Sequence, residues 1–290
     1  MSQARINQGF ATRREIEVQL YPRPVKRRAR VPRQALENRL AALQQDYAEL
    51  HTAIFEAAQI HRRLCAPRLV RHGEFEIASE IFAVRHLPGD FFTVQETGEG
   101  LTLALGDICG KGLAAGMWTT YLVRLIAAHA ASTSRPDAIV AGVNREVCSR
   151  ESFLPLASLF LASLHTATGV LSYCSAGHPP ALLLRADGKL ETLSEGGMLL
   201  GAMSTAPYVS GCVQLNSGDV LLVYSDGITE SENAAGEEFG DTRLEAQLRA
   251  GDSGDANAVL FSVLGAVQDF AAANPLIDDM SVAVVRRTVH

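Results

Sequence analysis

The spacing of apolar residues changes along the chain, and each change predicts an element. Over residues 34–65, Leu36, Leu40, Leu43, Tyr47, Leu50, Ile54 and Ala57 recur at alternating intervals of four and three, with charged and Gln positions between them. That is a heptad seam over three repeats and predicts one amphipathic helix. Such a seam either joins two chains in a coiled coil or packs on its own domain. A dimerising helix is the reading adopted here.

Beyond Pro67 the period shortens to two. Phe75 to Val84 alternates as a strand, His86-Leu87-Pro88-Gly89-Asp90 turns, and Phe91 to Gln95 begins another strand. Thr97-Gly98-Glu99 reads as a hairpin turn into Leu101 to Leu105. Gly106, Gly110 and Gly112 then mark a tight turn before a long apolar helix over 113–131, with a second helix near 136–149. Strands follow at 157–165, 170–175, 181–185, 189–193 and 219–224, helices near 241–250 and 255–273, and a last strand at 280–286. Strands at hairpin spacing with two inserted helical pairs predict an α+β domain layered on antiparallel sheets. Residues 1–33, interrupted by Pro22, Pro24 and Pro32, show neither period beyond a short candidate strand at Val18 to Tyr21. The expected organisation is a flexible basic arm (1–33), a helix (34–65) and one domain (66–290).

Composition narrows the function classes. With 47% hydrophobic and 20% charged residues, the 290-residue chain is that of a globular protein with a substantial core. No run reaches the roughly 18 apolar residues that span a bilayer, and the N-terminus lacks a signal-type stretch. Cys65, Cys109, Cys148, Cys174 and Cys212 are scattered without a CxxC pair, which fits a reducing cytosol and argues against a disulfide framework or zinc knuckle. A cytoplasmic location is therefore expected. The formal charge of −6 hides an asymmetry: residues 1–35 carry nine Lys or Arg against Glu15 and Glu17, a net +7, so the remainder carries −13. The run Lys26-Arg27-Arg28-Ala29-Arg30 is either a solvated tail, the expected case, or an arm for an anionic partner. An acidic body is a poor nucleic-acid surface.

Four acidic positions share one setting, the end of a short apolar strand. Asp90 precedes the strand at 91, Asp107 follows 101–105, Asp226 follows 219–224, and Asp278-Asp279 precede 280–286. Hairpins bring alternate strand ends to one sheet edge, where these carboxylates would repel and raise one another's pKa values unless cations neutralise them. An oxygen-only set suits Mg²⁺ or Mn²⁺ and disfavours zinc. Two such ions about 4 Å apart can hold phosphate oxygens and activate a water, with no nucleophilic Ser or Cys. The loop after Asp107 is not a Walker A loop, because Lys111 is followed by Gly112 and not by Ser or Thr.

The motifs PGDFF (88–92), GDICGKG (106–112), SAGHPPALLLRADGKLETL (175–193), LGAM (200–203), LNSGDVLLVYSDGITES (215–231), FG (239–240) and DDMSVAVV (278–285) occur in this order. Together they resemble the sporulation-protein-E-like (SpoIIE) branch of the PPM metal-dependent protein phosphatases, over about residues 60–288. The resemblance implies a sandwich of two antiparallel sheets flanked by helices, two Mn²⁺ or Mg²⁺ ions at one edge, and dephosphorylation of phospho-Ser or phospho-Thr. The substrate it implies is an anti-sigma-factor antagonist in a partner-switching system. By position, Asp107 resembles the carboxylate bridging both metals, with the Ile108 carbonyl a further ligand. Asp90 resembles a ligand or water-holder of one metal, and Asp226 and Asp278 ligands of the other, Asp278 being preferred over Asp279. On this reading Asp107 and Asp90 are also the catalytic residues.

Several positions depart from the family pattern. Pro88-Gly89 replaces a double Gly, Thr93 replaces an acid, and Cys109 stands where eukaryotic-type relatives carry a candidate acid, His. Leaving-group protonation would then fall to water, and Cys109 is expected to be a small packing residue. His178 is expected to be structural rather than a ligand or acid. Lys111 attracts a phosphorylated partner or is simply solvated; Trp118 and Tyr121 are expected in core or interface. The expectation is a dimeric metal-dependent Ser/Thr protein phosphatase whose N-terminal helix acts on the helix at 113–131 and through it on the Asp107 loop. The alternatives are a non-catalytic interaction module of the same fold and a metallohydrolase of small phosphoesters.

Overall fold

The computed structural model describes residues 32–65, 69–98, 100–149, 155–251, 254–272 and 274–288. The expected basic arm and its Val18 to Tyr21 strand lie outside these residues, apart from positions 32 and 33. The chain opens with helix α1 (Arg33–Cys65), then strands β1 (Leu69–His72), β2 (Phe75–Phe82), β3 (Phe91–Thr97) and β4 (Gly100–Ile108). Helices α2 (Leu113–Ala130) and α3 (Pro136–Cys148) precede β5 (Ala157–His165), β6 (Val170–Ala176), β7 (Ala181–Leu184) and β8 (Leu190–Leu193). Next come β9 (Gly196–Gly197), β10 (Gly211–Gln214), β11 (Val220–Tyr224), the one-turn α4 (Asp226–Thr229), α5 (Gly240–Ala250), α6 (Ala256–Ala271) and β12 (Met280–Arg287).

Two units divide between Glu49 and Leu50. The described part of the first is helical and leaves Leu36, Leu40, Leu43 and Tyr47 between 55% and 69% exposed. An isolated helix with that apolar seam in water is marginal. The second unit holds two six-stranded sheets, β1-β2-β12-β11-β7-β8 and β10-β6-β5-β4-β3, the latter with β9 beside β6. Every pairing is antiparallel except β6 with β9.

Side-chain alternation explains the layering. Phe75 and Ile77 of the first sheet meet Phe92, Leu103, Leu105 and Phe160 of the second in an inter-sheet core. The other face of the first sheet packs under α5 and α6 through Leu222, Val284, Leu248 and Val263. The other face of the second packs under α2 and α3 through Leu159, Leu161, Ile126 and Val140. Truncating one of these fully buried leucines to Ala costs about 2–5 kcal/mol. No helix among the described residues is long and apolar enough to cross a membrane, and the five cysteines are free.

Two local expectations change. Strand β4 does not stop at Leu105: Gly106, Asp107 and Ile108 pair with Leu159, Ser158 and Ala157. Gly106 serves close approach and not a turn, since a Cβ there would come within 2.6 Å of the Ser158 carbonyl and 2.7 Å of the Phe91 ring. Strands β1, β9 and β10 escape the period-two reading because they are short and half exposed, with no apolar face to write the alternation.

Candidate metal centre

Register brings the predicted acids together from both sheets. Phe91 pairs with Gly106, which sets Asp90 beside the end of β4 that carries Asp107. Tyr224 pairs with Val282, which sets Ser225-Asp226 beside Asp279 and the start of β12. The sheets are joined at this edge by hydroxyls. Ser281 Oγ donates to Asp90 Oδ2 at 2.5 Å, and the Ser281 amide donates to Ser225 Oγ at 2.9 Å. Ser225 also bonds the Asp90 carboxyl.

The four acids sit in different surroundings. Asp90 is 2% exposed, and burial together with the Asp107 charge pushes its pKa well up, opposed by the serine hydrogen bonds. Asp107 is pushed up to about 6 by burial and by the charges of Asp226, Asp278 and Asp279, while its hydrogen bond with Asp90 favours the ionised form. Without a cation, burial and mutual repulsion both favour a proton on this pair. Asp226 opens α4 and is exposed. Asp278 is half exposed and pairs with Lys111 Nζ at 2.7 Å, which also donates to the Ile277 carbonyl at 2.9 Å.

Asp279 is different again. It is 4% exposed, and its two oxygens accept the Val84 and Gly89 amides, each at 2.8 Å. Residues 84–90 are further seated by Thr119 Oγ1, which donates to the Gly89 carbonyl at 3.1 Å, and by the Ile108 amide, which donates to the same carbonyl at 3.3 Å. Gly89 has no room for a side chain: a Cβ would lie 2.8 Å from the Ile108 carbonyl oxygen and 3.0 Å from Asp107 Oδ1. The loop leaving Asp107 relies on Gly110 and Gly112 at φ 137° and 85°.

Among the described residues no three His, Cys, Asp or Glu side chains close into a finished coordination cage. The donor chemistry nonetheless fits hard divalent cations. The acids offer oxygen ligands, burial and repulsion push Asp90 and Asp107 toward protonation where a positive charge would relieve them, and a protein ammonium already rests on Asp278.

The remaining sequence candidates fall as follows. His178 is buried, its Nδ1 bonds Ser158 Oγ at 2.8 Å, and burial depresses its pKa to about 3, so it is a neutral structural group. Ser158 stands opposite Asp107 in β5, so His178 braces the edge from behind. Cys109 is exposed and not a packing residue, because β4 ends before it; its amide donates to the Leu156 carbonyl at 2.8 Å. Trp118 and Tyr121 are half buried against the core beneath α2 and α3.

Three features went unread in the sequence. Ser225 and Ser281, each close to an acid inside a quoted motif, are the hydroxyls that hold Asp90. Arg85, in the turn that carries Asp90, is exposed and lies over the metal-loop backbone, its Nη1 3.9 Å from where a Cβ on Gly112 would be. The end of α1 within the second unit packs on α2: His61 bonds the Gly116 main chain, the Cys65 thiol bonds Thr120, and Arg62 pairs with Glu80.

The helix-flanked double sheet has the fold of the PP2C phosphatase domains among solved structures. The SiaA-PP2C domain of Pseudomonas aeruginosa superposes with a TM-score of 0.72 at 17% identity, covering 83% of this chain and 98% of that one. The catalytic domain of the serine threonine protein phosphatase PstP, in complex with 2 manganese ions, superposes with a TM-score of 0.55 at 18% identity, covering 74% and 99%. By sequence, phosphoserine phosphatase RsbU of Bacillus subtilis (strain 168) is 23% identical over 244 residues, 83% of this chain and 72% of that protein. The chain spans only 32% of the length of another curated relative that it matches. The family model for stage II sporulation protein E matches residues 97–288, and the chain belongs to the SpoIIE family, a branch of the PPM phosphatases.

Proposed function

We propose that the chain hydrolyses phosphoserine or phosphothreonine in a protein of the anti-sigma-factor-antagonist type, using two Mn²⁺ or Mg²⁺ ions. The observation that carries this reading is the close Asp90–Asp107 pair, Asp90 buried and Asp107 partly buried, facing Asp226 and Asp278 at one sheet edge. Bound cations would neutralise the acids, draw in phosphate oxygens and activate a water for attack on phosphorus.

Asp107, with the Ile108 carbonyl, would be among the groups that hold the ions. Asp90 would hold one ion or its water, and Asp226 and Asp278 the other, Asp278 exchanging its Lys111 partner for a cation. Arg85, whose guanidinium makes no other ion pair among the described residues, would meet the phosphate, with Lys111 beside it once released. Cys109 would be a weak acid, since partial desolvation and the nearby Asp107 and Asp226 charges push its thiol up, and water would protonate the leaving oxygen. The names of RsbU and PstP, both phosphatases, support the reaction class.

The test is hydrolysis of a phosphoserine-bearing antagonist protein and of an aryl phosphate, with Mn²⁺ and with EDTA, by wild type and Asp107→Ala. Manganese-dependent turnover that the substitution abolishes, with preference for the protein, supports the reading. Turnover that survives both EDTA and Asp107→Ala would sink it.

The exposed seam of residues 36–50 supports a homodimer through α1. Leu43→Asp should convert a dimer to a monomer by sedimentation, and an unchanged sedimentation coefficient would reject that interface. The contacts of His61 and Cys65 on α2 support control of the metal loop by the same helix.

A further inference from the structure

We infer that Asp279 is a positioning residue that clasps the turn of residues 84–89 and so fixes both Asp90 and Arg85; this rests on the phosphatase reading. The sequence alone leaves Asp278 and Asp279 as rival ligands, and the hydrogen bonds separate them. Both oxygens of Asp279 are occupied by main-chain donors, Val84 and Gly89, at the two ends of one turn. A carboxylate accepting two amides in a buried site forms strong charge-assisted bonds, and surrendering them to a cation would leave two buried N–H groups unpaired. Asp278 meets a smaller conflict: its side chain is 44% exposed, and one oxygen, Oδ1, takes both the Asp279 amide at 2.8 Å and the Lys111 ammonium at 2.7 Å.

The clasp reaches across the sandwich. Asp279 begins the approach to β12 in one sheet, whereas Gly89 and Asp90 lead into β3 of the other. Between its anchored ends the turn carries Arg85 over Gly112 and Leu87 under α2, where a Cβ on Gly116 would strike Leu87 at 2.5 Å. One carboxylate thus sets the distance between the acid that would serve a cation and the guanidinium that would serve the phosphate. Such outer groups govern first-layer geometry and alter metal affinity by about 10–100-fold when removed.

The experiment uses the full chain and compares Asp279→Asn, Asp279→Ala and Asp278→Asn with wild type. Amide exchange by mass spectrometry on metal-free protein reads the clasp directly. Over residues 83–90 it should quicken by about tenfold or more in both Asp279 variants, and stay at the wild-type rate in Asp278→Asn. With Mn²⁺ added, the Asp279 variants should need about 10–100-fold more metal for half-maximal turnover and show a raised KM for the phosphoprotein. Saturating metal should restore Asp279→Asn further than Asp279→Ala, because Asn keeps one acceptor. Unchanged exchange over 83–90 in folded Asp279→Ala would overturn the proposal, as would Asp279→Asn matching Asp278→Asn in both readouts. Failure of the phosphatase reading is distinct: it would appear as wild type without metal-dependent turnover, while the exchange comparison still reports on the clasp.

Discussion

Asp90 and Asp107 reach the edge from one sheet, and Asp226 and Asp278 reach it beside the other, but the protein treats the two pairs differently. In the first pair Asp90 is buried and bonded to Ser281, Asp107 is partly buried beside it, and both pKa values are pushed up. The second lies toward water, Asp226 exposed and Asp278 neutralised by Lys111. A carboxylate in water loses little by standing without a cation, whereas a buried one must protonate or find a counter-charge. On the proposed reading, Asp90 and Asp107 would set whether the centre forms, and the more exposed Asp226 and Asp278 would tune what it holds.

Substitutions can break that asymmetry. Asp107→Asn removes one acid of the first pair, and Mn²⁺-dependent turnover of phosphoserine protein should fall at least about a thousandfold, the scale of several kcal/mol of lost charge stabilisation. Asp226→Asn and Asp278→Asn should do less, raising the half-activating Mn²⁺ concentration about 10–100-fold while leaving turnover at saturating metal measurable. Equal losses from both pairs would erase the distinction. Arg85→Ala should lower kcat/KM about tenfold, chiefly through KM, with Arg85→Lys between, as expected when an exposed charge-assisted hydrogen bond to phosphate is lost.

A smaller effect sharpens the account from behind Asp90 and Asp107. His178 titrates near 6.5 when unfolded and about 3 when folded. Between those values the unfolded chain binds a proton that the native state refuses, so stability falls as pH drops below 6.5 and this group contributes nothing above it. At pH 5 the loss from His178 is about 2 kcal/mol relative to pH 7. Urea denaturation at the two pH values should show a correspondingly smaller difference in His178→Asn, and an identical difference would reject the neutral, braced histidine.

Periodicity made most of the sandwich legible. The strands with one buried face, such as β4, β5 and β12, and the helices α2, α3, α5 and α6 were readable from apolar spacing, because burial writes period two or 3.6 into sequence. Edge strands β1, β9 and β10 were not, since half-exposed residues carry no such record. The acids were legible through their strand-end setting and the motifs around them. The Asp279 amide contacts, the Arg85 placement and the Ser281 bond to Asp90 were not, because each joins positions distant in sequence through an irregular turn. Cys109 misled because a free Cys usually packs as a small hydrophobe, whereas here β4 ends at Ile108 and leaves the residue exposed.

The most direct measurement is calorimetric titration of Mn²⁺ into metal-free protein near pH 6, in two buffers of different ionisation enthalpy. On the proposed reading a cation displaces a proton from the acids whose pKa values are pushed up, so the apparent heat should depend on the buffer. Binding should be saturable with net proton release in wild type, and both should vanish in Asp107→Asn. Saturable binding with no proton release, or binding unaffected by Asp107→Asn, would contradict the claim that Asp90 and Asp107 found the centre.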